Sequence, residues 1–214
     1  MSFSIRARAA AIASAIIFAV LAALTALGKL DAVNASIINL VQEAANPRLT
    51  SALTFITNIG EWYVYIPLAL LLFAIPKTRW KVGLPIMITL ALSASLNSLI
   101  KVFFAVPRPN TNQLVAVSGF SFPSGHAMNG AAFVVACASL FIRHYARKRA
   151  ARLTAAVCAA AFLLVIGFSR VYLGVHSPAD VMAGWALGVF VCVTTLTVAE
   201  SRMKNKRRID GLGL

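Results

Sequence analysis

Apolar residues run almost unbroken through six stretches of the chain, and polar residues collect in the short intervals between them. The stretches cover roughly 9–27, 53–75, 82–100 (extending toward Phe104), 125–142, 153–168 and 178–198. A helix needs about 20 residues to cross the hydrocarbon layer of a bilayer. In lipid, a backbone must also satisfy its own hydrogen bonds. The pattern therefore predicts six transmembrane helices, the fourth and fifth near the short end. Residues 31–46 read differently. Val33, Ile37, Leu40, Val41 and Ala44 recur at helical spacing with polar residues between them, which predicts a short interfacial helix, with or without a role in substrate access. Gly184 and Gly188 lie four apart in the sixth stretch, a spacing that permits close helix packing.

Composition agrees with lipid as the main solvent. Of 214 residues, 60% are hydrophobic and 12% charged, and the mean hydropathy is +0.82. A soluble domain is nearer 45–50% apolar and about 25% charged. The length suits a single integral membrane domain, 1–214, built as an all-α, polytopic, six-transmembrane-helix bundle. Arg6 and Arg8 precede the first stretch as in a signal peptide, but the stretch is too long and lacks a polar cleavage region, so it reads as a retained helix.

The net charge of +14 would point to nucleic acid in a soluble protein. Its distribution excludes that partner. The N-terminus, residues 76–81, residues 143–152 and the tail (Arg202, Lys204, Lys206, Arg207, Arg208) hold fifteen of the twenty Lys and Arg residues. An even number of crossings puts both termini on one side, and the positive bias puts that side in the cytoplasm. The expected location is a bacterial inner or plasma membrane, with residues near 30–50, 101–124 and 169–177 facing the periplasm or cell exterior. Cys137, Cys158 and Cys192 lie inside apolar stretches and read as packing residues. His144 sits in a basic inward loop and reads as a surface residue.

The outward loops hold the candidate chemistry. Lys101, Arg108, His126, Arg170, His176 and Asp180 all reach the same membrane face in this topology. Two imidazoles and three cations fit an anion, and phosphate is the natural one, since Arg binds its oxygens bidentately and phosphoryl transfer depends on compensating charge. No carboxylate cluster accompanies them, so a metal site is not expected, nor is a cofactor. His176 and Asp180 are four apart around a helix start. Asp180 can orient the imidazole, leaving the other nitrogen as nucleophile. Ser177-Pro178-Ala179-Asp180 also reads as an ordinary capping sequence, and the two roles are compatible. Pro123-Ser124-Gly125-His126 is another helix start. There Ser124 either caps or donates to phosphate, Gly125 allows close approach of an anion, and His126 can act as general acid. Glu61 is an acid inside an apolar stretch, about 12 Å down a helix begun at Leu53. Such a residue either shapes the pocket by pairing with a cation or makes a structural polar contact. Trp62, Tyr63 and Tyr65 beside it read as lipid or packing contacts.

Three separated segments resemble the signature of the type 2 phosphatidic acid phosphatase (PAP2) superfamily, whose fold is shared with the vanadium haloperoxidases. They are Lys101-Val-Phe-Phe-Ala-Val-Pro-Arg108-Pro109, Pro123-Ser124-Gly125-His126, and Ser169-Arg170 continuing to His176-Ser-Pro-Ala-Asp180. The resemblance implies metal-independent hydrolysis of lipid phosphates or pyrophosphates at the outer interface. Lys101, Arg108 and Arg170 would hold phosphate with help from Ser124 and Gly125, and Ser169 would support phosphate or the local loop. His176 would form a phosphohistidine, Asp180 would orient it, and His126 would protonate the leaving group. Pro109 and Pro123 read as shape-setting residues. Vanadate is expected to inhibit. The bacterial branch implies phosphatidylglycerophosphate, undecaprenyl pyrophosphate or phosphatidic acid as substrate. The alternatives are a lipid A phosphatase and a non-catalytic protein that binds or transports lipid phosphates.

Overall fold

The computed structural model describes the backbone of residues 2–110 and 112–210, and the side chains of 5–110 and 112–202. The tail cations Lys204, Lys206, Arg207 and Arg208 fall outside the described side chains. The helices are α1 (Ser2–Ala26), α2 (Asp31–Gln42), α3 (Pro47–Asn58), α4 (Trp62–Ala74), α5 (Leu84–Phe104), α6 (Gly125–His144), α7 (Arg149–Tyr172) and α8 (Pro178–Asp210), and a π-helical turn, Arg79–Gly83, leads into α5. Among the described residues six segments are long and apolar enough to cross a membrane, with α3 and α4 together forming the second.

That second segment differs from the single helix the sequence predicts over 53–75. It begins at Pro47, because the Asn46 side chain accepts a hydrogen bond from the Leu49 N–H (3.0 Å) and proline suits the first helical position. It is then interrupted at 59–61. Glu61 adopts an extended conformation (φ −92°, ψ 156°) and stands at the N-cap of α4. Its carboxylate therefore lies at a helix break instead of a third of the way down a continuous helix. The fourth and fifth crossings are longer than their apolar stretches, because their ends carry basic residues such as Arg143, Arg149 and Arg170 within helical geometry.

The core sits between α6 and α8. A Cβ at Gly184 would lie 2.7 Å from the Ser124 carbonyl oxygen, and one at Gly188 would collide with the Met128 carbonyl. The two glycines thus let α8 press directly on the first two turns of α6, and this is an intramolecular contact. α1 covers another flank, where Ala22 packs with Phe122 and Ala183. α2 does not span. Its Ile38 is buried against Ala127, Val171 and Val181, while Val33 and Leu40 remain exposed. Gln42 on α2 donates to the carbonyls of Asn112 (2.7 Å) and Tyr172 (3.0 Å). Asn34 accepts from the Ala179 N–H (3.3 Å). The short helix is thereby fixed to the ends of α7 and α8 that carry the candidate residues. The basic turns around Arg79 and Arg152 lie at the opposite end of the bundle, with their side chains folded onto the carbonyls of Phe73 and Ala146.

Candidate active site

Local sequence explains how each polar group reaches the same end of the bundle. α5 ends at Phe104 with Ala105 in the left-handed region (φ 47°), so Lys101 occupies its last turn and the chain reverses into the segment bearing Arg108. α6 starts at Gly125 with Ser124 as N-cap, which leaves the first-turn N–H groups of Gly125 and His126 open. α7 delivers Ser169 and Arg170 in its last turn. α8 starts at Pro178 with a reciprocal cap. The Ser177 N–H donates to Asp180 Oδ2 (2.7 Å), and the Asp180 N–H donates to Ser177 Oγ (3.1 Å).

These ends enclose a cavity of about 400 Å³ lined by Glu61, Lys101, Arg108, Gly125, His126, Arg170 and His176, with Ala116, Val117 and Ser118 at its lip. Asp180 lies behind this wall, 1% exposed. Its Oδ2 is 3.6 Å from His176 Nδ1, so capping and a contact with the imidazole coexist on one carboxylate. Ser121 Oγ stands between them, 2.6 Å from Asp180 Oδ2 and 3.3 Å from His176 Nδ1. Burial depresses the His176 pKa below its ordinary value despite the Asp180 charge, which favours the neutral imidazole. Burial also lowers that of Arg108, against the pull of Asp180.

The cations are not idle. Arg108 donates from Nε to the Gly119 carbonyl (3.1 Å), from Nη2 to that of Ser118 (2.8 Å), and from Nη1 to that of Val175 (2.7 Å). Lys101 Nζ donates to the carbonyls of Phe120 and Ser121. Both side chains therefore hold the 118–121 segment over the cavity. Arg170 is anchored by Thr57 on α3, whose hydroxyl accepts from Nη1 (3.2 Å), while its buried Nε has no protein partner. A buried donor without a partner is costly, and an anion in the cavity would satisfy it. His126 Nε2 lies 3.1 Å from Glu61 Oε1 without forming an aligned hydrogen bond.

The expected residues are not all placed alike. His126, His176, Lys101, Arg108, Arg170, Gly125 and Glu61 line the cavity. Glu61 meets the His126 imidazole there. Ser124 is fully buried and caps α6 through the Ala127 N–H (3.5 Å). Ser169 is fully buried too and gives its hydroxyl to the Ile166 carbonyl (2.6 Å). Three further residues build the site without a motif to mark them. Ser121 and Thr57 make the contacts above, and Asn97, a turn before Lys101, donates to the Pro123 carbonyl (3.3 Å). Among the described residues no three His, Cys, Asp or Glu side chains gather as a metal site.

The PAP2 superfamily model matches residues 82–204, more than half of the chain and every motif above. The chain belongs to the PAP2 superfamily. It is 32% identical to phosphatidylglycerophosphatase B of Bacillus subtilis over 148 residues, covering 68% of this chain and 72% of that protein. It is 27% identical to an undecaprenyl-diphosphatase of Sulfolobus acidocaldarius over 174 residues, covering 78% and 79% of the two chains. The crystal structure of a transmembrane PAP2-type phosphatidylglycerolphosphate phosphatase from Bacillus subtilis superimposes with a TM-score of 0.82 at 28% identity, covering 89% of this chain and 96% of that one. This PAP2 protein is thus a multi-pass membrane enzyme of the bacterial type that hydrolyses lipid phosphates.

Proposed function

We propose that this PAP2 enzyme removes phosphate from phosphatidylglycerophosphate or a related lipid phosphate, undecaprenyl pyrophosphate and phosphatidic acid included, through a phosphohistidine on His176. The observation that carries the mechanism is the His176 ring itself. It is buried, with Nε2 directed at the cationic cavity, and Nδ1 is backed by Ser121 and Asp180. Nε2 attacks phosphorus and the bond to the ester oxygen breaks. His126, across the cavity, gives that oxygen a proton, and the Glu61 carboxylate beside it compensates the charge of the protonated ring. Lys101, Arg108 and Arg170 neutralise the phosphoryl oxygens, and the open N–H groups at the start of α6 add to them. Ser124 and Ser169 serve this cradle by fixing the two helix ends. In the second half, water attacks phosphorus, the P–N bond breaks and His126 takes the water's proton. The whole chain, 1–214, acts as one domain in this scheme. Its site lies at the outer interface, where a head group enters the cavity while its tails stay in lipid.

Similarity to the Bacillus protein favours phosphatidylglycerophosphate, and similarity to the Sulfolobus protein keeps the pyrophosphate in view. The test is phosphate release in detergent with EDTA from a panel of phosphatidylglycerophosphate, undecaprenyl pyrophosphate, phosphatidic acid and lipid A. Release by the parent and loss of at least a thousandfold in His176→Ala is the expected result, an estimate based on removing a nucleophile. Relative kcat/KM then ranks the substrates. Release that depends on added metal, or that survives in His176→Ala, overturns the mechanism.

A further inference from the structure

Which nitrogen of His176 carries its proton decides whether a lone pair faces the cavity. The structure answers from both ends of the ring. At Nδ1, the Asp180 carboxylate is 3.6 Å away, too far for a hydrogen bond. The Ser121 hydroxyl fills that gap, 2.6 Å from Asp180 Oδ2 and 3.3 Å from Nδ1. A serine has one hydroxyl proton, and a carboxylate offers only lone pairs. The proton therefore goes to Asp180, and toward the ring Ser121 Oγ can only accept, which requires Nδ1–H. At the other end, Arg108 Nη1 lies 3.4 Å from Nε2. A guanidinium only donates, which requires a bare Nε2. Two independent neighbours demand the same tautomer.

We propose that Ser121 is a positioning residue. It is the hydrogen-bond link, Nδ1–H to Oγ and Oγ–H to Oδ2, through which Asp180 sets the His176 tautomer. The hydroxyl is held for this purpose. Ser121 is 1% exposed. Its N–H donates to the Val106 carbonyl (2.8 Å), and its own carbonyl accepts from Lys101 Nζ (3.2 Å). A phosphate-facing cation thus braces the residue that orients the nucleophile. When the Nε2–P bond forms and the P–O bond breaks, Nδ1 keeps its proton. The positive charge on the phosphorylated ring is felt by Asp180 through the Ser121 hydroxyl. When water displaces the phosphoryl group, the pair of the P–N bond returns to Nε2, and Ser121 has neither gained nor lost a proton.

The catalytic consequence rests on His176 being the nucleophile, whereas the tautomer does not. The first measurement is therefore nitrogen NMR of ¹⁵N-histidine-labelled protein in detergent, with the three imidazoles assigned by single His→Ala variants. The neutral Nδ1–H form is expected at His176. In Ser121→Ala the population should move toward Nε2–H, and in Ser121→Thr, which keeps the hydroxyl, it should return. Rapid-quench kinetics with ³²P-labelled lipid phosphate should show phosphorylation slowed roughly 10- to 100-fold in Ser121→Ala, with little change in KM and partial recovery in Ser121→Thr. An Nε2–H tautomer in the parent protein overturns the proposal whether or not Ser121→Ala folds. An unchanged tautomer and rate in a folded Ser121→Ala overturn it too. If His176→Ala still turns over while the tautomer follows Ser121, the link stands and the nucleophile assignment falls.

Discussion

Glu61 and His126 form the closest acid–imidazole contact in the cavity, 3.1 Å between Oε1 and Nε2. If the carboxylate serves the proton transfers of His126, Glu61→Gln removes its charge at constant shape and should lower kcat by roughly 10- to 100-fold with KM nearly unchanged. A raised KM at normal kcat would instead make Glu61 a reader of the head group. Glu61 was visible in the sequence as a costly acid among apolar residues, but its partner was not. The same holds for the supporting hydroxyls. Thr57 meets Arg170 across 113 residues, and Ser121 meets Asp180 across 59. A serine or threonine carries no charge and has many ordinary uses, so nothing local separates these two from the others. The charged and imidazole groups were legible because they gather in the outward loops within three motif segments, and Glu61 because an acid inside an apolar stretch is costly. Ser124 and Ser169 show the converse, since residues inside a motif can act on the backbone beside the cavity without lining it.

The starts of α6 and α8 were readable because their chemistry is local. Ser177 and Asp180 close a reciprocal cap, and Ser124 caps α6. The break between α3 and α4 was not, although Asn58, Gly60 and Glu61 fall on it, because the apolar runs on either side merge into one span when read by hydropathy. The segment from 112 to 121 was legible only as a loop, yet it forms the lip of the cavity. Few backbone bonds hold it, among them Leu114 N–H to the Leu173 carbonyl and Ser121 N–H to the Val106 carbonyl. Side chains add to that hold: Arg108 and Lys101 at 118–121, Gln42 at the Asn112 carbonyl, and Asp180 at the Ser121 hydroxyl. Hydrogen bonds from charged donors contribute about 1.5–3 kcal/mol each. Arg108→Ala should therefore speed amide exchange across 112–121 by roughly tenfold or more while exchange in α6 and α8 stays unchanged. Equal exchange in parent and variant would show that the guanidinium does not restrain the segment. A phosphate that recruits Arg108 would compete for the same donors, so this segment is where substrate binding should be felt first.

At the scale of the whole molecule, the bundle has two chemically unlike ends. One carries the cavity, and the other carries the basic turns at 76–81 and 143–152. The architecture was legible from hydropathy alone, because six apolar lengths leave few other ways to satisfy a backbone in lipid. Which end faces out rests on the positive-inside bias, a preference of membrane insertion and not a contact within the fold. The proposed orientation decides the biology, since an outward cavity works on lipids of the outer leaflet. It can be measured with Cys137, Cys158 and Cys192 replaced by alanine, and a single cysteine returned at Ser118 on the cavity lip or at Lys148 on the opposite turn. In intact cells a membrane-impermeant maleimide should modify the cysteine at 118 and spare that at 148 until the membrane is opened. The reverse labelling would place the termini outside and the cavity in the cytoplasm. The residue geometry would survive that result, because the hydrogen bonds around His176 do not depend on which compartment they face. The substrate would then have to be a lipid whose phosphate is presented on the inner leaflet.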